Sequence, residues 1–192
     1  MPLGAARFGL LGGVADLGKL ELIETKTASG TAPNLDFTSL QESTYNVHFL
    51  TLSNVFFSGT NVLKRLRLSN NGGTSFITSG YQYAYQQGND AGSFSENKST
   101  SDSFINLIPN TGNEATEVAN AYVYFYNLGD SSKYSFLTYH TSSMNSAGAN
   151  YQMSFGSAVK PTAETHNAFQ LIDGLLTRNI NATASLYGIA ES

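Results

Sequence analysis

The segment YVYFYNL-GDSS-KYSFLTYH, residues 122–140, carries the clearest structural signal in this chain. Two aromatic-rich runs flank a short cluster of turn-forming residues. Because side chains on a β-strand point alternately to opposite faces, alternating runs on either side of a turn predict a β-hairpin. Short runs of the same kind recur from one end of the 192 residues to the other. The sequence therefore predicts an all-β protein.

The alternating runs follow one another at a spacing of about 8–12 residues, which is typical of antiparallel sandwiches. We expect about ten strands in a single domain that covers residues 18–192. No tandem repeat is present that would indicate a propeller or a solenoid. The prediction is an antiparallel β-sandwich of jelly-roll or Greek-key type.

Three connecting segments have their own predictions. Residues 88–102 are polar with one aromatic residue, which indicates a long surface loop. The sequence Asn70-Asn71-Gly72-Gly73 accepts positive φ and predicts a hairpin turn after the run at 63–69. Residues 167–177 are the one place where a short helix is conceivable, and a strand is favoured there.

Residues 1–17 differ from the rest because glycines interrupt any helical or strand pattern. The segment nevertheless contains large apolar side chains, which are unfavourable in water: Leu3, Phe8, Leu10 and Leu11. We expect an extended N-terminal arm that packs on a neighbouring subunit or another docking surface. A frayed terminus is the alternative.

Composition and charge exclude several classes of partner. Charged residues make up 12% of the chain, about half of the ~25% found in average globular proteins. The chain has ten Lys and Arg residues and fourteen Asp and Glu residues, so a basic surface for nucleic acid is not expected. No apolar run approaches the ~18–20 residues needed to cross a bilayer. The opening residues lack the pattern of a secretion signal, which indicates synthesis in a cytoplasm.

Candidate chemistry is sparse. Cysteine is absent, which removes thiol nucleophiles and Cys-based zinc sites. His48, His140 and His166 show no metal-binding or catalytic spacing, and His48 on its apolar run is expected to be a hydrogen-bonded core residue. The oxygen-rich segments at Asn89–Asp90 and Asp130 are the places where calcium would bind, but no calcium-loop pattern is present. We therefore predict no catalytic residue, no metal and no cofactor.

Two tyrosine ladders form the candidate interaction surface. Each ladder has alternate residues of one run on one strand face: Tyr81, Tyr83 and Tyr85 in the first, and Tyr122, Tyr124 and Tyr126 in the second. In one interpretation the rings line a subunit interface or a partly solvated side of the core, where each hydroxyl forms a hydrogen bond. In the other they form a platform for sugar rings.

Several segments resemble small virion-associated proteins of tailed bacteriophages, particularly those of marine and cyanobacterial hosts. The likeness spans nearly the whole chain and consists of strand and turn signatures: MPLGAARFG at 1–9, LDFT at 35–38 leading into YNVH at 45–48, YSF at 134–136 after GDSSK at 129–133, and SLYGI at 185–189. The resemblance implies a place in the virion and transfers no active-site residue.

That resemblance implies a structural virion protein made in the bacterial cytoplasm. The expected form is a trimeric tail-fibre or host-adhesion component, attached to other virion proteins through residues 1–17, with a host surface glycan as a further candidate partner. A capsid decoration or head-fibre protein is the first alternative. A carbohydrate-binding module or a glycan-degrading enzyme is the second, although no enzymatic activity is predicted.

Overall fold

A computed structural model describes residues 19–59, 62–145, 150–173 and 176–190 of the chain. These residues contain twelve β-strands: β1 (Leu20–Ser29), β2 (Asn34–Phe37), β3 (Val47–Phe57), β4 (Val62–Ser69), β5 (Tyr81–Asn89), β6 (Phe94–Asp102), β7 (Ile105–Thr111), β8 (Ala119–Tyr126), β9 (Ser135–Met144), β10 (Tyr151–Lys160), β11 (Ala168–Ile172) and β12 (Ile180–Ile189). The predicted arm of residues 1–17, with Leu3, Phe8, Leu10 and Leu11, lies outside the described residues.

The strands form two antiparallel sheets packed as a sandwich. Eight of them have the order of a jelly roll, with β1-β12-β3-β8 in the large sheet and β2-β11-β4-β7 in the small sheet. The chain is thus one long hairpin rolled up on itself, since β1 pairs with β12 and β2 pairs with β11. The predicted all-β sandwich of jelly-roll type is confirmed.

The other four strands enlarge the large sheet. The hairpin β5–β6 is inserted between β4 and β7, and the hairpin β9–β10 is inserted between β8 and β11. Their strands continue the large sheet beyond β8 in the order β9-β10-β5-β6, which gives it eight strands. We call these four strands the extension.

Aromatic and aliphatic side chains from both sheets fill the space between them. At the centre of the roll, the ring of Phe169 stacks between two others, with centroid distances of 4.8 Å to Phe37 and 4.9 Å to Phe125. All three side chains are fully buried. Because stacked aromatic rings bury a large apolar area, this triple stack is a major source of stability for the jelly roll.

Two predictions about connections are wrong. The segment expected as a surface loop at 88–102 contains strand β6, which pairs with β5 from Gly88–Phe94 onward. The sequence pattern does not reveal β6, because it is an exposed edge strand with polar residues on both faces. The turn at Asn70–Gly73 exists, with φ values of 70° at Gly72 and 83° at Gly73, but it leads from one sheet to the other instead of closing a hairpin.

Three other predictions about elements are confirmed or refined. The segment at 167–177, where a strand was favoured over a helix, contains β11. The described residues contain twelve strands instead of about ten. The hairpin expected at 122–140 is present as β8 and β9, paired from Tyr126–Phe136 to Ala119–Ser143.

Candidate binding site on the outer face of the large sheet

The outer face of the large sheet carries a cluster of aromatic rings. In the register of the strands, Tyr187 of β12 lies opposite Phe49 of β3, and Phe49 lies opposite Tyr124 of β8. The Phe49 ring centroid is 4.7 Å from that of Tyr124 and 6.2 Å from those of Tyr122 and Tyr187. We call these residues, with Tyr126 and His140, the aromatic cluster.

The aromatic cluster is partly exposed and contains no Asp, Glu, Lys or Arg. Tyr122 is 43% exposed, and Tyr124 and Tyr126 are half-buried. Among the described residues, the outward side chains of β12, β3, β8, β9 and β10 include no Asp, Glu, Lys or Arg. A broad part of the sheet therefore presents aromatic rings, hydroxyls and amides to its surroundings.

A groove begins at this cluster and crosses the extension at right angles to the strands. Its floor is a row of small outward residues, with Thr138 of β9 opposite Ser157 of β10 and Ser157 opposite Ala84 of β5. Tyr124 stands opposite Thr138 at one end, and Lys98 of β6 stands opposite Ala84 at the other. Small side chains aligned across neighbouring strands leave a trough, because register partners share a face.

Bulkier residues form the two walls of the groove. On one side the next row contains Phe155 of β10 opposite Gln86 of β5. On the other side Phe136 of β9 lies opposite Val159 of β10, and Val159 lies opposite Gln82. Phe155 and Phe136 are 45% and 44% exposed, so both rings are available for contact.

Three neighbouring depressions lie along the groove. One of about 480 Å³ lies between Tyr124, Thr138 and Phe155. One of about 400 Å³ lies between Phe155, Gln86 and Lys98, and one of about 370 Å³ lies beside Phe136 and Ser157. All three are shallow and open to solvent, so a ligand in them would contact the sheet with one side only.

The first tyrosine ladder is buried beneath the groove, which agrees with its interpretation as part of the core and corrects the prediction that it forms an interface or a sugar platform. Tyr81 is 0% exposed, and Tyr83 and Tyr85 are each 8% exposed. The residues between them, Gln82 and Ala84, point outward, so strand alternation turns the tyrosines towards the small sheet. Of the predicted surface tyrosines, those of the second ladder remain on the outside.

Hydrogen bonds hold the buried tyrosines in place. The hydroxyl of Tyr83 donates to Asp102 Oδ2 at 2.8 Å and accepts from Asn106 Nδ2 at 2.7 Å. The hydroxyl of Tyr81 accepts from the backbone N–H of Leu68 at 2.8 Å. Burial raises the pKa values of both phenols well above their ordinary range. They therefore act as neutral supports that link the extension to the small sheet.

The absence of a side chain at Gly156 of β10 leaves the space that Tyr85 of β5 occupies. A Cβ atom at Gly156 would lie 2.3 Å from the Cβ atom of Tyr85 and 2.6 Å from the carbonyl oxygen of Ala84. Such distances are far below van der Waals contact, so only glycine fits here without a shift of the backbone. The floor of the groove is therefore fixed from below by this contact.

The structure also brings together a serine, an imidazole and a carboxylate that sequence reasoning missed. Ser135 Oγ lies 2.8 Å from His166 Nδ1, and His166 Nε2 lies 3.4 Å from Glu164 Oε1. Ser135 and His166 are fully buried, and the serine contacts Nδ1, whereas a hydrolase serine contacts Nε2. Burial lowers the pKa of His166. The cluster therefore joins the start of β9 to the segment after β10 as a structural contact.

The remaining sequence candidates have local partners. His48 is fully buried, as expected, and its Nε2 lies 2.8 Å from the carbonyl oxygen of Leu40. His140 is exposed beside Tyr122, with the two ring centroids 5.7 Å apart. In the described part of the chain, no group of three or more His, Asp or Glu side chains is arranged to hold a metal ion.

The two segments considered for calcium use their oxygens to stabilise turns. Asn89 Oδ1 accepts from the backbone N–H groups of Ala91 and Ser93 at 3.1 and 3.0 Å. Asp130 Oδ2 lies 2.8 Å from Lys133 Nζ, and hydrogen bonding to Lys133 and Ser132 lowers the pKa of Asp130. These contacts explain why oxygen-rich residues occur at both turns.

Comparisons with known proteins leave the family open. No protein-family model and no curated protein matches this chain. Along the described residues, no helix has the length and apolar character needed to cross a membrane. The outer face of the large sheet is therefore the feature from which a function is inferred.

Proposed function

We propose that this chain is a structural protein of a bacteriophage particle that acts in host adhesion. It forms a homotrimer, belongs to a tail fibre, and is attached to other virion proteins through residues 1–17. The observation that supports this proposal best is the partly exposed aromatic cluster around Phe49 and Tyr124, which contains no Asp, Glu, Lys or Arg. Large contiguous apolar patches on soluble domains mark surfaces that contact other molecules.

The size of the outer face is suited to extensive contact. The four strand spacings of about 4.8 Å from β12 to β10 give a band roughly 19 Å wide without Asp, Glu, Lys or Arg. Tyrosine is favourable in such a band because its ring supplies apolar area and its hydroxyl still reaches a polar partner. The face can therefore contact either another protein or a polar ligand without leaving charges unpaired.

The first strand offers a place for contact between subunits. Leu20 and Leu22 of β1 are 50% and 59% exposed, and they lie opposite Ile189 and Tyr187 at the end of the aromatic cluster. The predicted arm of residues 1–17 precedes this strand. In the proposed trimer these leucines are covered by a neighbouring subunit, which removes apolar surface from water.

A capsid decoration or head-fibre protein is the second candidate. The same outer face and the same leucines would then contact coat subunits, and residues 1–17 would dock between them. A carbohydrate-binding module that functions without a particle would be a monomer. These candidates therefore differ in location and oligomeric state.

A glycan-degrading enzyme is less well supported than a binding protein. Glycosidases generally need two carboxyl groups roughly 5–9.5 Å apart across the substrate. Among the described residues that line the three depressions, Glu96 is the only carboxylate. This lining favours binding over hydrolysis.

Two measurements test the proposed function. Multi-angle light scattering of the full chain should give about three times the chain mass of 20.6 kDa, and a strict monomer would contradict the trimer. Antibody-gold labelling of purified particles should decorate the tail fibres. Labelling of the capsid would support the second candidate, and particles that lack the chain would exclude both.

A further inference from the structure

We propose that the groove across the extension is a binding site for a neutral, hydroxyl-rich glycan chain. The inference rests on the proposed role in host adhesion and names the ligand class and the residues that would bind it. The glycan would lie over Thr138, Ser157 and Ala84, at right angles to the strands, with Tyr124 at one end and Lys98 at the other.

The walls of the groove supply apolar contact for sugar rings. Phe155 and Phe136 rise on opposite sides of Ser157 and are each nearly half exposed. Sugar rings have apolar C–H faces, which pack against aromatic rings in the way that other apolar groups do. A narrow chain of rings between two phenylalanines would remove apolar surface of both partners from water.

The floor and the glutamines of the two walls supply the hydrogen bonds that orient the ligand. The hydroxyls of Thr138 and Ser157 can each donate one hydrogen bond and accept others, and the amides of Gln82 and Gln86 do both. Tyr126 Oη lies 3.3 Å from Thr138 Oγ1 and fixes the position of that hydroxyl. Groups that both donate and accept match sugar hydroxyls, which have the same capacity.

The charge of the groove selects against other classes of ligand. From Tyr124 to Ala84 the floor contains no ionised group, and Glu96 and Lys98 of β6 oppose each other in sign at the far end. Polyanions such as nucleic acids need several basic residues to replace their counterions. A neutral ligand needs none.

The position of the groove also selects against an extended peptide. β9, β10 and β5 lie inside the eight-stranded sheet, where their backbone groups pair with neighbouring strands. A peptide that adds to a sheet requires a free edge with unpaired N–H and C=O groups. In the groove it would meet side chains only and could not add to the sheet as a further strand.

The length of the groove fits an oligosaccharide better than a single sugar. From β8 to β6 it crosses four strand spacings, which amounts to about 19 Å. A monosaccharide would contact one of the three depressions, whereas an oligosaccharide would contact all of them. Affinity is therefore expected to rise with chain length until the groove is filled.

The test uses the full chain and defined sugars. Saturation-transfer and heteronuclear NMR would be recorded with glucose, galactose, mannose, fucose and N-acetylglucosamine at high concentration, with linear neutral hexasaccharides, and with polygalacturonate as the charged probe. At least one neutral sugar should shift the signals of Ser157 and Phe155, and its oligomers should bind more tightly. If no neutral sugar shifts these signals, or if polygalacturonate alone binds, the proposal is wrong.

A matched pair of variants locates the binding. Ser157→Phe fills the floor of the groove, and Ser29→Phe adds the same ring at another exposed outward position, on β1 outside the groove and away from the aromatic cluster. We expect Ser157→Phe to weaken binding at least tenfold and Ser29→Phe to leave it unchanged. Equal affinities of both variants would overturn the assignment of the groove. Light scattering and particle labelling of Ser157→Phe report on the proposed virion role separately, because that role does not require an open groove.

Discussion

The side-chain amine of Lys64 donates a hydrogen bond of 2.7 Å to the carbonyl oxygen of Val62 between the two sheets. The amine also contacts the hydroxyl of Thr111 and lies 5.8 Å from the centre of the Phe57 ring. Lys64 is 1% exposed, and among the described residues no carboxylate forms an ion pair with it. Burial lowers its pKa to about 7.

This lysine predicts a rise in stability with pH. Between pH 7 and about 10 the unfolded chain holds a proton on Lys64 that the folded chain has released, so the free energy of unfolding increases with pH in this window. Urea denaturation at steps from pH 7 to pH 9.5 should show the increase. Above pH 10 the buried tyrosines act in the opposite direction, since their pKa values are raised by burial.

The variant Lys64→Met isolates this effect. Methionine retains most of the apolar stem and removes the amine, so the free energy of unfolding should become nearly independent of pH from 7 to 9.5. Lys98→Met, at an exposed position on β6, serves as the control and should retain the slope. An unchanged slope in Lys64→Met would show that Lys64 is not the titrating group.

The triple phenylalanine stack predicts a large loss of stability. Phe169→Ala should lower the free energy of unfolding by about 3–5 kcal/mol, because it leaves a cavity between Phe37 and Phe125. Phe94→Ala, at a side chain that is 71% exposed, should change it by less than about 0.5 kcal/mol. Thermal unfolding followed by circular dichroism measures both, and similar losses for the two variants would contradict the assigned core.

The close approach of Gly156 and Tyr85 predicts that a single methyl group disturbs the extension. Gly156→Ala should destabilise the protein by about 1–3 kcal/mol, in the range of other overpacked sites. Hydrogen exchange should show a loss of amide protection mainly in β5, β6 and β10. The amides of β1 and β12 should keep their protection. Ser157→Ala, an outward change at the next residue, is the control; equal exchange in both variants would argue against the contact.

The exposed leucines of β1 predict the location of the subunit contact. Leu22→Lys places a charge where the proposed trimer buries an aliphatic side chain, so light scattering should show a shift towards the monomer. Ser101→Lys adds the same charge on β6 at the opposite edge of the sheet and should leave the trimer intact. If Leu22→Lys remains fully trimeric, the contact lies elsewhere.

The elements that could be predicted from the sequence are those with local signals. The hairpin at 122–140 and strand β12 are recognisable because their alternation and turn residues lie within one short segment. Strand β6 could not be recognised in the same way, since an exposed edge strand has no apolar face. The order of strands in each sheet depends on pairing between distant segments, for which a single sequence contains no local signal.

The candidate site was only partly predictable for the same reason. Tyr122, Tyr124 and Tyr126 could be placed together because they alternate within one strand. The groove depends on register between three strands, which aligns Thr138, Ser157 and Ala84 across the sheet. The burial of the first tyrosine ladder could have been inferred from the sequence. The residues that alternate with its tyrosines are polar or small and suit the solvent-facing side of the strand: Gln82, Ala84 and Gln86.

The two inserted hairpins leave the jelly roll and return to it at separate points of the chain, and between them they carry the floor and both walls of the groove. The roll has its own central stack of phenylalanines and does not rely on the identity of these outward residues. Substitutions along β5, β6, β9 and β10 can therefore diversify what the surface recognises while the inherited scaffold stays the same. Comparison of related sequences would show this as rapid divergence of the hairpins beside a slowly changing roll.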